Sequence, residues 1–205
     1  MRIVRTGYFF AAAPALAGAL AVVLGWQIAG AALLALAVFI LFFFRDPERA
    51  IPAEPGVLVS PADGRVLGVE EIELEGRAVT RVSIFLSIFD VHVNRAPIAG
   101  RVSAVRYQRG RFHVASQPAA SEENEMNEVA VEGEGTRVVF RQIAGLIARR
   151  IEFWSRMGEE LARGQRVGLI RFGSRVEVFF EPAYRAQVSA GARVHGGSSV
   201  LAARK

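Results

Sequence analysis

Hydrophobic positions are distributed unevenly along the 205-residue chain. From Tyr8 to Phe44 nearly every residue is apolar, and Arg2 and Arg5 are the only charged residues before Arg45. Beyond that point charged and apolar residues are mixed, as in a domain that folds in water. The pattern predicts an apolar N-terminal segment followed by a domain of about 160 residues, long enough to form one hydrophobic core.

The apolar segment is too long for a single membrane span, which needs about 20 residues. Two short helices fit it better, with a break at Gly25-Trp26-Gln27. Arginines at both ends predict that both ends face the cytoplasm. We therefore expect residues 1–44 to form a membrane-anchoring helical hairpin in the cell membrane, with the catalytic domain on the cytoplasmic side. Three alternatives stay open: a cleaved signal peptide, which the length disfavours, a monotopic hairpin in one leaflet, and a buried pair of core helices.

Prolines mark the boundary between the two parts. Four of the eight prolines are Pro47, Pro52, Pro55 and Pro61. Proline interrupts helices and favours extended chain. We therefore expect a linker over residues 45–60 and a folded domain over residues 61–205.

The domain is patterned mainly as β-structure. Alternating and β-branched runs predict strands over 65–74, 77–86, 101–107, 128–131, 137–141, 166–172 and 175–180. Along the last of these, Val176, Val178 and Phe180 alternate with other residues, which predicts one buried face. One short helix is expected over residues 155–163, with Ser155 as its N-cap and Gly164 after its end. The predicted fold class is mainly β (α+β): an antiparallel β-rich domain preceded by the helical hairpin.

The composition excludes several kinds of chemistry. The chain has no cysteine, so disulfides and cysteine nucleophiles are excluded. Its only lysine is Lys205, at the C-terminus, so a pyridoxal phosphate enzyme with a lysine aldimine is disfavoured. The three histidines are scattered, and we expect no metal site. The arginines are interleaved with acidic residues, and we expect no nucleic-acid partner.

Three short segments could carry chemistry, and each also has a structural interpretation. Gly173-Ser174 lies between two strand-like runs, where a glycine often forms a bulge or turn. Asp63-Gly64 has the sequence of a hairpin turn. His92 could be a structural histidine, but in a strand Asp90 and Asn94 would share its face.

Several motifs occur in an order that resembles the phosphatidylserine decarboxylase family, in its short bacterial and archaeal (type A) branch. They follow the N-terminal hydrophobic hairpin and cover most of the chain. They read RDPER at 45–49, SPADG at 60–64, FDVHVNRAP at 89–97, SEENE at 121–125 and GLIRFGSRVEVFF at 168–180. The last motif is the most specific.

The resemblance implies a precursor that cleaves itself between Gly173 and Ser174. The chains would be residues 1–173 and 174–205, and Ser174 would become a covalent pyruvoyl cofactor that forms a Schiff base with the substrate. The reaction would convert phosphatidylserine to phosphatidylethanolamine and CO2. His92 is expected to be the base, and Asp63 its orienting carboxylate by analogy with catalytic triads. The implied partners are phosphatidylserine, membrane lipids and the two chains of one precursor, with a homo-oligomer left open.

The sequence departs from the larger family members at two places. They have a second histidine where this chain has Arg95, and an arginine where it has Met126. Asn94 and Arg95 are expected to bind substrate, although Arg95 could pair with the lipid phosphate, with Asp90 or with a surface carboxylate.

Two other histidine segments are expected to be structural. His195-Gly196-Gly197-Ser198-Ser199 also contains Gly-Ser pairs, but a glycine-rich turn is the better interpretation because no strand precedes it. His113 matches no catalytic role. Two further functions stay open at this point: a pyruvoyl decarboxylase acting on another amine-bearing acid, and a non-enzymatic β-domain tethered to a membrane.

Overall fold

The computed structural model describes residues 2–117, 119–146, 150–171 and 173–205. The chain divides into two compact units, Met1–Glu48 and Arg49–Lys205. Residues 49–60, from the proline-rich stretch, belong to the second unit. The assignment of 1–44 as an anchor, 45–60 as a linker and 61–205 as the catalytic domain stays a prediction.

The first unit is the predicted helical hairpin. Helix α1 (Arg5–Val23) and helix α2 (Gln27–Phe43) are separated at the expected break. A β-carbon on Gly18 would lie 3.1 Å from the Gly30 carbonyl oxygen, so small residues allow the helices to approach closely. Short strands β1 (Arg2–Ile3) and β2 (Arg45–Asp46) pair beside the two ends. Helix α1 is long and apolar enough to cross a membrane, and α2 is apolar but shorter.

The second unit is built almost entirely of strands, as its pattern predicts. In chain order they are β3 (Val57–Val59), β4 (Gly64–Leu74), β5 (Arg77–Leu86), β6 (Val93–Arg95), β7 (Gly100–Gln108), β8 (Met126–Gly133), β9 (Thr136–Ala144), β10 (Ile151–Phe153), β11 (Glu160–Leu161), β12 (Arg166–Ile170), β13 (Ser174–Phe180), β14 (Tyr184–Ala186), β15 (Arg193–Val194) and β16 (Val200–Arg204). Between β7 and β8 lies one short helix, α3 (Ala120–Glu123).

The strands form one large sheet and two small ones. The large sheet has eight strands in the order β11-β7-β8-β9-β13-β5-β4-β15. The small sheets have the orders β10-β12-β6 and β14-β16-β3. Every strand pairing within these three sheets is antiparallel. The predicted fold class, a mainly antiparallel β-domain that follows a helical hairpin, is therefore confirmed.

Strand β13 lies in the interior of the large sheet, between β9 and β5. All seven of its residues are buried, so the prediction of one buried face was wrong. Val176, Val178 and Phe180 contribute to the main hydrophobic core. On the other face the buried Glu177 carboxylate accepts hydrogen bonds from the hydroxyls of Ser83, at 3.2 Å, and Ser121, at 2.8 Å. Polar residues can occupy this buried face because they form hydrogen bonds with one another there.

The predicted helix over 155–163 is not formed. Gly158 adopts a left-handed φ of 86°, and the Arg156 N–H donates to the Glu159 carboxylate across a turn. Glu160–Leu161 instead pairs with β7 as strand β11. A helix this short is marginal by itself, so pairing at the edge of the sheet overrides the local helical pattern.

Candidate active site

Ser174 is the first residue of β13 and lies opposite Leu86 on one side and Ala144 on the other. It is fully buried. Its Oγ has no hydrogen-bond partner among the residues that the structure describes. A buried hydroxyl without a partner costs free energy, which is typical of a group held for chemistry rather than for stability. The structure thus places a buried hydroxyl without a described partner at the predicted cleavage site.

The residue before it, Gly173, has the geometry of a strained turn. Its φ is 72°, in the left-handed region that favours glycine. Its carbonyl oxygen packs against the α-carbon of Gly145, where a β-carbon would clash. The carbonyl that Ser174 would attack therefore has a defined position, set by close backbone contact.

His92 is fully buried and its ring is oriented by the backbone. Its Nδ1 lies 3.0 Å from the carbonyl oxygen of Asp90. A carbonyl can only accept a hydrogen bond, so Nδ1 carries the proton and Nε2 of the neutral ring keeps its lone pair. Nε2 accepts the Gly173 N–H at 3.4 Å. The basic nitrogen therefore faces the peptide group next to the scissile bond.

The segment that carries His92 is held by the side chain of Asp90. Its carboxylate accepts hydrogen bonds from the N–H of Ser87, at 2.9 Å, and from the Ser87 hydroxyl, at 2.7 Å. Arg193 also donates to it, at 3.0 Å. Asp90 acts on His92 through its backbone, a role that side-chain motifs alone could not indicate.

Asp63 lies in a different network from the one expected. Its carboxylate accepts two hydrogen bonds from Arg49, at 2.7 and 2.9 Å, and one from the Gly196 N–H, at 2.8 Å. His195 Nδ1 lies 3.2 Å from the same carboxylate. The group that contacts His92 Nδ1 is the Asp90 carbonyl. The expected orienting role of Asp63 therefore stays a prediction, while its observed contacts join Arg49 to the turn at 195–199.

Asn94 and Arg95 are both buried inside the second unit and do not lie at its surface. Asn94 is fully buried, and its Oδ1 accepts a hydrogen bond from Gln142 at 2.9 Å. Arg95 is 5% exposed and donates to the carbonyl of Gly164 at 3.0 Å. Their expected role in substrate binding stays a prediction, because the contacts described here are with the protein itself.

Asn124 connects two segments beside the site. It is buried, and its Oδ1 accepts the N–H of His113 at 2.7 Å. Its Nδ2 donates to the carbonyls of His113, at 2.9 Å, and of Ala144, at 2.7 Å. Ala144 pairs with Ser174, so Asn124 supports residue 174 through the end of β9. The only signal for this role in the sequence is the position of Asn124 in the SEENE motif.

His113 also has a structural environment, as expected. Its Nε2 lies 2.9 Å from the Glu123 carboxylate. This hydrogen bond is the largest cause of the lowered pKa of Glu123, with Arg111 contributing in the same direction. The described residues contain no cluster of three or more histidine, aspartate or glutamate side chains suited to a metal ion.

An apolar cavity of about 320 Å³ adjoins the cleavage site. Its described lining consists of Phe85, Ser87, Ile88, Val114, Ala115, Gly145, Leu146 and Gly173. Two of these residues, Gly145 and Gly173, are the pair whose backbones meet at the scissile carbonyl. The cavity therefore gives an apolar ligand a route to the vicinity of residue 174.

Together these groups can support acyl transfer within the chain. A serine hydroxyl, the carbonyl before it and a histidine lone pair are the parts required for nucleophilic attack on a peptide bond. The sequence singled out Ser174, Gly173 and His92 as candidates. It did not single out Gly145 or the Asp90 carbonyl, which act through the backbone, or the side-chain amide of Asn124, which binds backbone groups.

Comparison with known proteins shows the family to which the chain belongs. The family model for phosphatidylserine decarboxylase matches residues 36–202. A phosphatidylserine decarboxylase proenzyme from Solibacter usitatus is 52% identical over 204 residues, covering 100% of this chain and 98% of the relative. Proenzymes of the same name from Symbiobacterium thermophilum and Burkholderia cenocepacia are each 47% identical, covering 97% and 82% of this chain and 94% and 79% of the relatives. The chain belongs to the phosphatidylserine decarboxylase family.

Proposed function

We propose that this chain is a precursor that cleaves itself between Gly173 and Ser174 and then converts phosphatidylserine to phosphatidylethanolamine and CO2. The observation that carries the proposal is the buried, unpartnered Ser174 Oγ, directly after a left-handed Gly173 whose N–H contacts His92. Family membership supplies the reaction and the covalent pyruvoyl group that such a proenzyme forms.

In the first step, Ser174 Oγ attacks the carbonyl carbon of Gly173. His92 Nε2 accepts the hydroxyl proton after it exchanges its contact with the Gly173 N–H for one with the Ser174 hydroxyl, which has no partner among the described residues. The bond between the Gly173 carbonyl and the Ser174 nitrogen breaks, the nitrogen takes up a proton, and an ester replaces the amide. The left-handed Gly173 favours this step because it has no side chain to obstruct the attack.

In the second step, the α-proton of residue 174 is removed and Gly173 leaves as a carboxylate. The dehydroalanine that remains tautomerises to an imine, and one water molecule hydrolyses it with release of ammonia. The product is a ketone at the N-terminus of a chain that begins at residue 174. The pyruvoyl group supplies an electrophilic carbonyl that draws electrons from the substrate as CO2 departs.

The residues of this chain fit such a group. Residue 174 is enclosed between β5 and β9, so the new N-terminus is held away from bulk water. After cleavage the small chain still pairs with the large chain through β13, β15 and β16. We propose that Asp63 contributes by joining Arg49 of the large chain to the small-chain turn at Gly196, and that Asn94 and Arg95 shape the substrate side of the site.

The same proposal covers location and partners. Helix α1 is apolar and long enough to cross a membrane, and the family acts on a membrane lipid. We propose that the hairpin anchors the enzyme in the cell membrane with the catalytic domain on the cytoplasmic side, because arginines flank both ends of the apolar segment.

Intact-mass spectrometry of the purified protein tests the proposal directly. We expect two chains that separate at the 173–174 bond, the smaller carrying a ketone in place of its N-terminal amine. Ser174→Ala should give a single uncut chain, and His92→Gln should slow cleavage strongly. A wild-type protein that stays uncut, or that is cut elsewhere, would refute the assignment. Incubation with phosphatidylserine and with free serine then distinguishes the lipid substrate from a soluble amine-bearing acid.

A further inference from the structure

The cavity beside Gly173 differs chemically from three other cavities among the described residues of the second unit. None of its described lining residues carries a charge. Three other cavities, of about 270, 350 and 420 Å³, are lined in part by charged residues such as Glu70, Arg81 and Arg141. The cavity next to the site of chemistry is therefore suited to an apolar ligand, whereas the others are not.

Two large hydrophobic side chains of the cavity lining are exposed, and a third exposed one is adjacent to the lining in sequence. Val114 and Leu146 belong to its lining and are 42% and 58% exposed, and Phe89, which follows the lining residue Ile88, is 63% exposed. We call Phe89, Val114 and Leu146 the docking patch. Scattered exposed hydrophobic residues are ordinary, but a group of them at the mouth of an apolar cavity marks an interaction surface.

The buried position of residue 174 indicates which partner fits this surface. Residue 174 is fully buried, so a lipid headgroup must enter the protein to reach it. A lipid that crossed water on the way would expose its acyl chains, which is strongly unfavourable. An entrance that opens directly onto the bilayer avoids this exposure.

We infer that the docking patch places the apolar cavity against the lipid surface, so that phosphatidylserine passes from the bilayer to residue 174 without crossing water. The inference rests on the proposed function and extends it, because it assigns membrane contact to the catalytic domain itself. The N-terminal helices keep the protein at the membrane, and the docking patch orients the site toward its substrate.

Site-specific labelling tests the contact without measuring activity. The chain lacks cysteine, so Leu146→Cys in the full-length protein takes a fluorescent label at one position only. We expect vesicles of brominated phosphatidylcholine to quench this label. A label on Met157→Cys, which is 73% exposed and outside the cavity lining, is the matched control and should be quenched much less. Equal quenching at the two positions, or none at position 146, would overturn the inference.

Kinetics provide a second test. In the variant Phe89→Ser, at the docking-patch residue outside the cavity lining, we expect the rate on phosphatidylserine in vesicles to fall several-fold, because apolar contact with the bilayer is lost. The rate on short-chain phosphatidylserine below its micelle concentration should change little, and intact mass should show normal cleavage. Equal losses on both substrates would overturn the docking role. No decarboxylation of either substrate by the cleaved wild-type enzyme would instead refute the proposed function.

Discussion

The carbonyl oxygen of Gly173 packs against the α-carbon of Gly145, at the position that a side chain on residue 145 would occupy. The carbonyl that we propose as the electrophile of self-cleavage can occupy this position only because residue 145 has no β-carbon. Gly145→Ala must displace the Gly173 carbonyl or the end of β9, because backbone atoms cannot move aside as a flexible side chain can. We expect cleavage to slow by about tenfold or more, since small misplacements of reacting atoms have large effects on rate.

The time course of precursor loss on denaturing gels measures this effect. Gly68→Ala is the matched control, because its new β-carbon would meet the flexible end of Glu70, at 3.3 Å. Cleavage of Gly145→Ala at the wild-type rate would show that the contact with Gly173 does not position the carbonyl.

Asn124→Ala should destabilise the second unit. The substitution removes three hydrogen bonds and leaves the N–H of His113 and the carbonyls of His113 and Ala144 without this partner. A loss of about 2–4 kcal/mol in the free energy of unfolding is expected from buried polar groups of this kind. Denaturant unfolding of the uncleavable Ser174→Ala precursor, with and without Asn124→Ala, checks it. Gln108→Ala, at an exposed position, should have little effect.

The buried ion pair of Arg49 and Asp63 should show strong energetic coupling. Side-chain exposures are 15% and 8%, so removal of one partner leaves the other charge in a desolvated site. We expect Asp63→Asn and Arg49→Gln each to cost about 3 kcal/mol, and the double variant much less than their sum. The exposed pair Arg2–Glu48 offers a contrast, and Arg2→Gln should cost under about 0.5 kcal/mol. Additive losses at Arg49 and Asp63 would show that the two residues act independently.

Arg193 should influence catalysis through Asp90 and His92. Arg193→Gln removes a contact to the Asp90 carboxylate, whose backbone carbonyl orients the His92 ring. We expect slower cleavage with little change in thermal stability, because Arg193 is largely exposed. Arg193→Lys should restore part of the rate. A fall in melting temperature that matches the fall in rate would indicate a merely structural role.

The pair of His113 and Glu123 predicts a small pH dependence of stability. The hydrogen bond from His113 lowers the pKa of Glu123 in the folded state. A carboxyl group with a lowered folded-state pKa stabilises the protein above its unfolded-state pKa, and this contribution disappears as the pH falls through the folded-state value. The difference in melting temperature between wild type and Glu123→Gln should therefore be largest near neutral pH and vanish in acid. It should be small throughout, because the carboxylate is exposed.

Much of the fold could be predicted from local sequence. The break between the helices at Gly25 and the strand pattern of β4, β5 and β9 were visible because hydrophobic periodicity records which face is buried. The helix expected at 155–163 failed because its sequence prefers a turn at Gly158 and a partner strand in β7, and partner strands are not visible in a local pattern. The second buried face of β13 was missed because Arg175 and Glu177 suggest solvent, whereas both bind Ser121, which comes from a distant segment.

The candidate reacting residues of the site could be predicted from the sequence. The groups that position them were harder to predict. Ser174 and His92 belong to motifs, so the sequence could identify them. The residue that contacts His92 Nδ1 does so through a carbonyl, which every residue possesses, and side-chain identity cannot reveal it. Gly145 likewise acts through the absence of a β-carbon, which leaves space for the Gly173 carbonyl oxygen. Such roles depend on the folded backbone and become visible only in three dimensions.

The position of Ser174 within the sheet affects how the mature, cleaved enzyme unfolds and refolds. The proposed cleavage before Ser174 would divide the covalent chain at the start of an interior strand, yet the hydrogen bonds of β13 to β5 and β9 do not depend on that bond. The precursor folds as one molecule, but the cleaved enzyme unfolds into two. Its stability therefore depends on protein concentration, and refolding becomes an encounter between separate chains. Self-cleavage therefore makes unfolding difficult to reverse, because the uncut chain that folded as one molecule is no longer present.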